Sequence, residues 1–295
     1  MPEPFDVEAL LADESALRDL LRGCEATRAL ADGRLSRIAG GLSNRAWRLE
    51  VRDGAWFVRR AHPDAARLGV DRRSECIVLH TVAAAGLAPP ILACDPGVGL
   101  LVTRFVAGQA WQAAAVTQQA NLQRVADCLR RLHQLAVPVD VQDVSYERQA
   151  GLLARGLPGA DPEFERLQAL ASSAFARLRH RQASTALCHH DLHHLNMIEA
   201  RGRLWLVDWE YGGRGDPLFD VAGFLAMHQL GPGPSATFVM SYGRLTLADR
   251  LRLDDARWVF DYVQWLWYRL RFPDLAADPT GAVERLAKRL LHCDN

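Results

Sequence analysis

The sequence predicts an α+β protein with a small, strand-rich N-terminal lobe and a larger, helical C-terminal lobe. In residues 46–51 the side chains of Trp47, Leu49 and Val51 alternate with Ala46, Arg48 and Glu50, the period of two that is typical of strands. Beyond residue 107 the apolar residues mostly recur at helical spacing. A chain of 295 residues, 49% of them hydrophobic, can bury a core large enough for two lobes that share a cleft. We therefore expect lobes at 1–106 and 107–295.

Composition and charge exclude several classes of function. The 35 basic and 35 acidic side chains leave no net charge to attract nucleic acid. No apolar run approaches the roughly 18 residues of a membrane span, and the start lacks a basic region followed by an apolar run. The six cysteines stand singly, without a C-x-x-C pair, which favours reduced, buried thiols. We expect a cytoplasmic protein with no membrane, nucleic-acid or obligate protein partner.

The N-terminal lobe begins with amphipathic helical residues up to about 35 and then changes character. Three short strands follow, with turns at Gly40-Gly41 and at the "RDG" of residues 52–54. A helix is expected from about Arg72 to Ala85, ended by Gly86, and two more strands surround the "DPG" turn at 95–97. The predicted order is three strands, one helix and two strands.

The C-terminal lobe is helical in pattern except for "LCHHDLHHLNMI" (187–198) and "RLWLVDW" (203–209), which resemble short strands around a loop. There His189, Asp191 and Asn196 have the spacing H-x-D-x4-N, and Asp208 follows twelve residues after the asparagine. This spacing is typical of phosphoryl transfer, where one aspartate accepts a hydroxyl proton while an asparagine and a second aspartate hold Mg²⁺. A zinc site is a weaker reading, because the adjacent His189 and His190 diverge on an extended chain.

H-x-D-x4-N followed by "DWE" resembles the aminoglycoside phosphotransferase and choline kinase group, relatives of the protein kinases. Stretches such as "FVRRAHPDA", "LRRLHQL" and "LVDWEYGGRGD" resemble bacterial thiamine kinases most closely. The resemblance implies a protein-kinase-like fold that uses ATP and Mg²⁺. The implied roles are Asp191 as catalytic base, Asn196 and Asp208 as Mg²⁺ ligands, Glu210 as a second acid near metal or substrate, and Asp216 and Asp220 as supports of the loop.

The histidines around Asp191 have a secondary place in this interpretation. His189 is expected to orient the catalytic loop through hydrogen bonds, whereas His190, His193 and His194 are expected in the loop or at the surface. Since the group usually carries small residues at some of these positions, an additional role for the histidines stays open. Two alternatives of other classes remain, namely a metal-dependent hydrolase that uses the histidine cluster and a catalytically silent binding protein.

The first lobe carries the parts of a nucleotide site. "AGGLSNRAW" resembles the phosphate-covering loop of the group, which implies contacts from Gly40, Gly41, Ser43 and Asn44. Because neighbouring strand residues point to opposite faces, only one of Arg59 and Arg60 can reach the phosphates, and we prefer Arg59. Glu75 lies on the apolar stripe of the predicted helix and is expected to pair with Arg59. By resemblance, residues Arg104, Phe105 and Val106 link the lobes and meet adenine through their main chain. The choice between ATP and GTP stays open.

The helix in "ARWVFDYVQWLWYRLRF" (256–272) is the candidate acceptor site. Asp261, Trp265, Tyr268 and Phe272 recur at helical spacing on one face, and aromatic rings beside an acid attract an organic cation. The same stripe is equally compatible with a core-facing helix. Within the group, thiamine is the first expectation for the acceptor, with choline, ethanolamine and aminoglycosides as alternatives.

Overall fold

The computed structural model describes residues 7–38, 44–61, 69–157, 159, 161–179, 185–273, 278 and 280–292, with side chains from residue 13 onward. The N-terminal elements are α1 (Val7–Gly23), β1 (Arg34–Ile38), β2 (Asn44–Val51), β3 (Gly54–Ala61), α2 (Arg72–Ala84), β4 (Ile91–Asp95) and β5 (Leu100–Arg104).

The five strands form one antiparallel sheet in the order β1-β2-β3-β5-β4. One face carries Trp47 and Val58, which pack with Leu17 and Leu21 of α1 in a separate apolar cluster. The opposite face carries Arg59, whose side chain reaches α2. The sheet therefore has an outer face covered by α1 and an inner face that looks toward α2 and the rest of the chain.

The second region is mostly helical. Its elements are β6 (Gln109–Ala110), α3 (Ala113–Val116), α4 (Gln119–His133), α5 (Tyr146–Gly156), α6 (Pro162–Arg179), β7 (Ala186–Cys188), β8 (Met197–Ala200), β9 (Arg203–Leu206), β10 (Gly213–Gly215), α7 (Leu218–Met227), α8 (Pro232–Tyr242), α9 (Leu247–Arg271) and α10 (Ala282–His292). Strands β6, β8 and β9 form one small sheet, and β7 pairs with β10.

The main core lies around α7 and α9. Helix α7 is buried along nearly its whole length because it is apolar on all sides. Asp216 accepts the backbone N–H of Leu218 at the start of α7 (3.0 Å) and pairs with Arg252 of α9, which fixes the two helices to each other. Among the described residues, no helix is both long and apolar enough to cross a membrane.

The order of elements in the first region is as the sequence predicts, and α2 starts at Arg72 and is followed by Gly86 with φ of +71°. The leading helix is shorter than expected and ends at Gly23, because a short 3-10 turn and strand β1 occupy residues 28–38. The sequence reading also lacked β6 and β10, which are two and three residues long and too short to show a period.

The prediction of reduced, buried cysteines is wrong for Cys76 and Cys94 and wrong in burial alone for Cys24, while Cys293 lies outside the described residues. Cys76 of α2 and Cys94 of β4 form a disulfide, with Cα atoms 5.7 Å apart. Cys24 is a free thiol but only half-buried, whereas Cys128 and Cys188 are free and buried. The spacing of 18 residues between the paired cysteines carries no pairing signal, since their contact arises from the packing of α2 beside β4.

Candidate active site

The loop between β7 and β8 is held in place by a buried carboxylate of α7. Asp220 accepts hydrogen bonds from the backbone N–H groups of His189 (2.8 Å) and His190 (2.7 Å) and from the side chain of His133 (3.0 Å). Burial acts to raise the pKa of Asp220, but the hydrogen bond from His133 and the nearby histidines hold it well below its usual range. The charged carboxylate therefore anchors the start of the loop, as the resemblance implies.

His189 connects this loop to the segment after β9. Its Nε2–H donates to the carbonyl of Val207 (3.0 Å), and its Nδ1 accepts the backbone N–H of Asp191 (3.3 Å). The ring is fully buried and lies 4.3 Å from the ring of Trp209, centroid to centroid. Burial lowers the pKa of His189, which favours the neutral form that these two hydrogen bonds require. This geometry agrees with the predicted orienting role.

Asp191 and Asn196 lie together at the two ends of the loop. The side-chain amide of Asn196 donates to the backbone carbonyl of Asp191 (2.9 Å) and lies 3.4 Å from its Oδ2. Burial and then the negative charges of Asp208 and Glu210 raise the pKa of Asp191 well above its ordinary value. A raised pKa makes this carboxylate a better proton acceptor.

Asp208 faces the same cleft from the segment after β9. Its φ of 63° lies in the left-handed region, which is uncommon outside glycine and is concentrated at functional sites. Although 40% of the side chain is exposed, desolvation by the cleft walls and the charge of Glu210 raise the pKa of Asp208 to about 7. The neighbouring carboxylates of Asp191, Asp208 and Glu210 form an excess of negative charge that raises the pKa values of Asp191 and Asp208, and oxygens from Asn196 and Asp208 suit a hard divalent cation. The residues present therefore fit Mg²⁺.

The predicted pair between β3 and α2 is present. The guanidinium of Arg59 donates two hydrogen bonds to Glu75, of 2.6 and 2.7 Å, and both side chains are buried. Burial acts to raise the pKa of Glu75, but Arg59 holds it below its ordinary value. Arg59 Nη1 also lies 3.9 Å from Asp208, so Arg59 rather than Arg60 faces the carboxylates.

Arg72, the first residue of α2, was missed by the sequence reading. Its side chain donates to Glu75 (2.8 Å), to Glu210 (3.1 Å) and to the side-chain oxygen of Asn44 (2.8 Å). Asn44 in turn donates to Glu210 (2.7 Å). The available signal was the position of Arg72 one helical turn before Glu75, which places both on one face of the helix.

The predicted phosphate-covering loop falls mainly on residues that lie outside the described part of the chain, namely Gly40, Gly41 and Ser43. Asn44, the last residue of that prediction, starts β2 and contacts Arg72 and Glu210 rather than standing apart in the loop. Its side chain therefore lies at the edge of the acidic cluster, where a nucleotide phosphate is expected.

The predicted linking segment leaves the sheet at the end of β5. The backbone N–H of Arg104 donates to the carbonyl of Pro90 (2.8 Å), and that of Phe105 donates to the carbonyl of Ala55 (3.0 Å). These two amides are engaged within the protein, so a contact with adenine would have to use other main-chain groups of residues 104–106, such as those of Val106.

Two of the four predicted acceptor residues do not face the cleft. Asp261 pairs with Arg289 of α10, and Trp265 is fully buried against Phe164 of α6, with ring centroids 6.3 Å apart. The apolar stripe on which Asp261 and Trp265 were predicted to bind substrate is the face of α9 that packs into the core. Those two predictions are corrected accordingly.

The cleft-facing side of α9 carries Trp267 and Tyr268 instead. Burial and then the charges of Asp278 and Asp191 raise the pKa of the Tyr268 phenol, which places this residue near the loop aspartate. The side chain of Trp267 is hydrogen-bonded to Tyr211, whose pKa is raised by burial and by Glu210 and Asp191. The rings of Trp267 and Tyr268 lie edge to face, 5.1 Å apart. Tyr211, Trp267 and Tyr268 thus form an aromatic group beside the carboxylates, and only Tyr268 was predicted.

His190 lies in the loop after β7, as the sequence suggested, but its side chain does not reach the surface. It is buried, with φ of 65°, and burial lowers its pKa to about 4. A Cβ added at Gly215 would come within 2.5 Å of its Nε2, so the neighbouring position needs glycine. Within the described part of the chain, neither ring nitrogen of His190 has a hydrogen-bond partner.

The other two extra histidines lie farther out. His193 Nε2 is 3.8 Å from Asp191 Oδ2, and its Nδ1 accepts the backbone N–H of Leu195 (3.2 Å). His194 lies edge to face with His228, the residue that follows α7, with ring centroids 5.6 Å apart. Both side chains are half-buried in the loop, as expected.

The histidines do not converge on a metal site. Among the described residues, the one group of three or more metal-ligating side chains with close ligand atoms is His133, Cys188 and Asp220. There His133 uses Nδ1 with Tyr242 (2.8 Å) and Nε2 with Asp220 (3.0 Å), so its ring nitrogens are already engaged. The geometry gives no support to a hydrolase built on the histidine cluster.

The comparisons with known proteins agree with this geometry. Protein LicA of Haemophilus influenzae is 31% identical over 192 residues, which are 62% of this chain and 55% of LicA. The chain thus spans about half the length of this relative. The structure of choline kinase LicA from Streptococcus pneumoniae superposes with a TM-score of 0.79 at 18% identity and covers 94% of this chain and 98% of that one. A structure of LicA in complex with AMP superposes with a TM-score of 0.78 at 18% identity, over 95% and 98% of the two chains.

At these identities the structural likeness establishes a shared fold, and it confirms the two-lobe, kinase-like architecture predicted from the sequence. The family described as "Phosphotransferase enzyme family" matches residues 34–256, more than half of the chain, and includes both the five-stranded sheet and the loop of Asp191. The chain belongs to the phosphotransferase enzyme family.

Proposed function

We propose that the protein is an ATP-dependent kinase that phosphorylates a primary hydroxyl group of a small organic cation, with choline as the first candidate. The observation that carries the proposal is the aromatic group of Tyr211, Trp267 and Tyr268, since the charge of Asp191 acts on both tyrosines and Trp267 contacts both of them. A cation held over aromatic rings gains roughly 0.5–2 kcal/mol per contact, depending on desolvation. Its hydroxyl group would then lie next to the carboxylate that accepts the proton.

The relatives support choline ahead of thiamine. One solved structure that shares this fold is described as choline kinase LicA, and the relative from Haemophilus influenzae is likewise named LicA. The aromatic group and the nearby carboxylate of Asp191 provide what a quaternary ammonium ion requires, which is a ring surface and a nearby negative charge. Thiamine, the first expectation from the sequence, has no such support and takes second place with ethanolamine.

The proposed mechanism assigns each group one task. Asp191 accepts the proton of the acceptor hydroxyl group. At the same time the hydroxyl oxygen forms a bond to the γ-phosphorus, and the bond between the γ-phosphorus and the bridging β-phosphate oxygen breaks, which releases ADP. Asn196 keeps Asp191 oriented, and His189 keeps the loop in place. Arg59, held by Glu75, presents a fixed positive charge toward the phosphates. Asn196 and Asp208 would hold Mg²⁺, which would supply positive charge against the phosphates.

The test is a coupled measurement of ADP release with Mg-ATP and separate acceptors: choline, ethanolamine, thiamine, homoserine and an aminoglycoside. We expect choline to give the highest kcat/KM, with phosphocholine and ADP formed in equal amounts. The Asp191→Asn variant is the negative control, since it keeps the size of the side chain and removes the base. If thiamine exceeds choline, the acceptor assignment is wrong; if no acceptor stimulates ADP release, the cation proposal itself fails.

A further inference from the structure

Arg72 occupies a central place between the groups of the site. It is the first residue of α2, its side chain is only 13% exposed, and it donates hydrogen bonds to Glu75 (2.8 Å), Glu210 (3.1 Å) and Asn44 (2.8 Å). These three partners come from α2 itself, from the segment after β9, and from the start of β2. One side chain therefore joins three separate parts of the chain.

The charges around Arg72 indicate how far each of its two carboxylate partners depends on it for a compensating positive charge. Glu75 is already neutralised by Arg59 through two hydrogen bonds of 2.6 and 2.7 Å. Glu210 is buried, with 3% of its surface exposed, and a buried carboxylate is costly unless a cation compensates it. Arg72 donates a hydrogen bond of 3.1 Å to Glu210 and supplies positive charge beside it. Among the described residues, Arg72 is therefore a cation that both Glu75 and Glu210 share.

The position of Glu210 determines what this contact can control. Glu210 follows Asp208 by two residues in a segment whose backbone has the unusual φ of 63° at Asp208. A hydrogen bond that fixes Glu210 also limits where Asp208 can lie. Arg72 simultaneously holds Glu75, the partner of Arg59. The phosphate-facing pair and the metal-facing segment are therefore tied to the same guanidinium group.

We propose that Arg72 is a positioning residue that keeps the Arg59–Glu75 pair and the Asp208–Glu210 segment in register, so that Mg-nucleotide meets both at once. The inference rests on the kinase function proposed above and names a residue that acts through Glu75 and Glu210 rather than on substrate. Its geometry requires arginine, because one nitrogen bridges two carboxylates while the other reaches an amide oxygen, and the compact ammonium of lysine does not reproduce that planar fork.

The test compares Arg72→Gln with Arg73→Gln. Arg73 carries the same charge in the same helical turn, but its side chain is exposed, so it is a matched control. We expect R72Q to raise the dissociation constant for Mg-ADP, measured by calorimetry, by about 10-fold and to lower kcat/KM for Mg-ATP by at least about 30-fold, since it removes hydrogen bonds between charged groups. The KM for the acceptor should stay within about 2-fold, and R73Q should change none of these values.

Two further variants separate positioning from a general loss of structure. If Arg72 acts through Glu210, then R72Q combined with Glu210→Gln should be no worse than the more impaired single variant, because residues in one network are not additive. Arg72→Lys restores the positive charge without the planar, two-pronged guanidinium group. Its kcat/KM for Mg-ATP should therefore exceed that of R72Q by less than about 3-fold. Additive effects, full rescue by lysine, or equal values for R72Q and R73Q would each overturn the proposal.

The calorimetric measurement does not depend on the acceptor. If wild-type protein binds Mg-ADP but phosphorylates no acceptor, the proposed function fails while the comparison of R72Q with R73Q still tests Arg72. If wild-type protein turns over normally and R72Q binds Mg-ADP as tightly as R73Q, the positioning role fails while the kinase function stands.

Discussion

The two sides of the cleft are built by different interactions. On the phosphate side, Asp191, Asn196, Asp208 and their supports are held by hydrogen bonds and ion pairs whose geometry depends on fixed sequence spacing. On the acceptor side, α9 carries aromatic residues on both its core face and its cleft face. Only the packing of the helix determines which of these residues are buried in the core. Spacing therefore predicts a polar site well and an aromatic site poorly.

The largest expected effect is on the phosphate side. Asp191→Ala should lower kcat by about 10³-fold, since positioned general bases contribute roughly 10²–10⁴-fold. The dissociation constant for Mg-ADP should change little, because Asp191 is assigned to the acceptor hydroxyl. Steady-state kinetics and calorimetry check the two parts separately. Turnover near the wild-type value would remove Asp191 from the reaction.

A smaller effect on the same side is expected from Glu75→Gln. The variant keeps the size of the side chain but removes the charge that Arg59 and Arg72 share, so two buried guanidinium groups lose their common anion. We expect kcat/KM for Mg-ATP to fall by about 30- to 100-fold, the equivalent of about 2–3 kcal/mol. Arg60→Gln is the control, as Arg60 lies on the opposite face of β3. Equal kinetics for both variants would show that the pair serves only the fold.

The two tryptophans of α9 test the acceptor side directly. Trp267→Ala should raise the KM for choline by about 10-fold, since it removes a ring from the proposed cation site, and should destabilise the fold less than Trp265→Ala does, because Trp267 is only partly buried. Trp265→Ala should affect the stability of the fold much more than the KM for choline. It opens a cavity in the core and should reduce the free energy of unfolding by about 3–5 kcal/mol, with KM nearly unchanged.

Denaturant unfolding and acceptor kinetics on the same two preparations decide between the faces. If W265A raises the KM and W267A destabilises the fold, the assignment of the two faces of α9 is reversed. If both variants only destabilise, the acceptor lies elsewhere in the cleft.

The contrast between the polar and the aromatic side of the cleft explains which parts of the fold and the site could be predicted from the sequence. The order of strands and helix along the first lobe, the start of α2 and the Arg59–Glu75 pair follow from local periodicity and from the rule that strand neighbours face opposite sides. The face of α9 could not be predicted, because Trp265 and Trp267 both stand in an aromatic run and only the packing of α6 beside α9 distinguishes them. Arg72 was missed for a related reason, since its partner Glu210 is 138 residues away in the sequence.

The smallest expected effect concerns the disulfide, another contact that sequence spacing does not reveal. Cys76 lies next to Glu75 in α2, and the bond to Cys94 closes a loop between residues 18 apart in the sequence. Closing a loop of this length stabilises the folded state by about 3 kcal/mol through the unfolded chain. Reduction by a dithiol, or Cys76→Ser with Cys94→Ser, should lower the melting temperature by several degrees. An identical melting curve, with the thiols shown to be free by mass spectrometry, would contradict this.

The same loss of the disulfide should leave kcat within about 2-fold of wild type, because α2 is also fixed by Arg59 and Arg72. A large loss of kcat in the reduced protein would mean that the disulfide, rather than the ion pairs, positions α2 for phosphate binding.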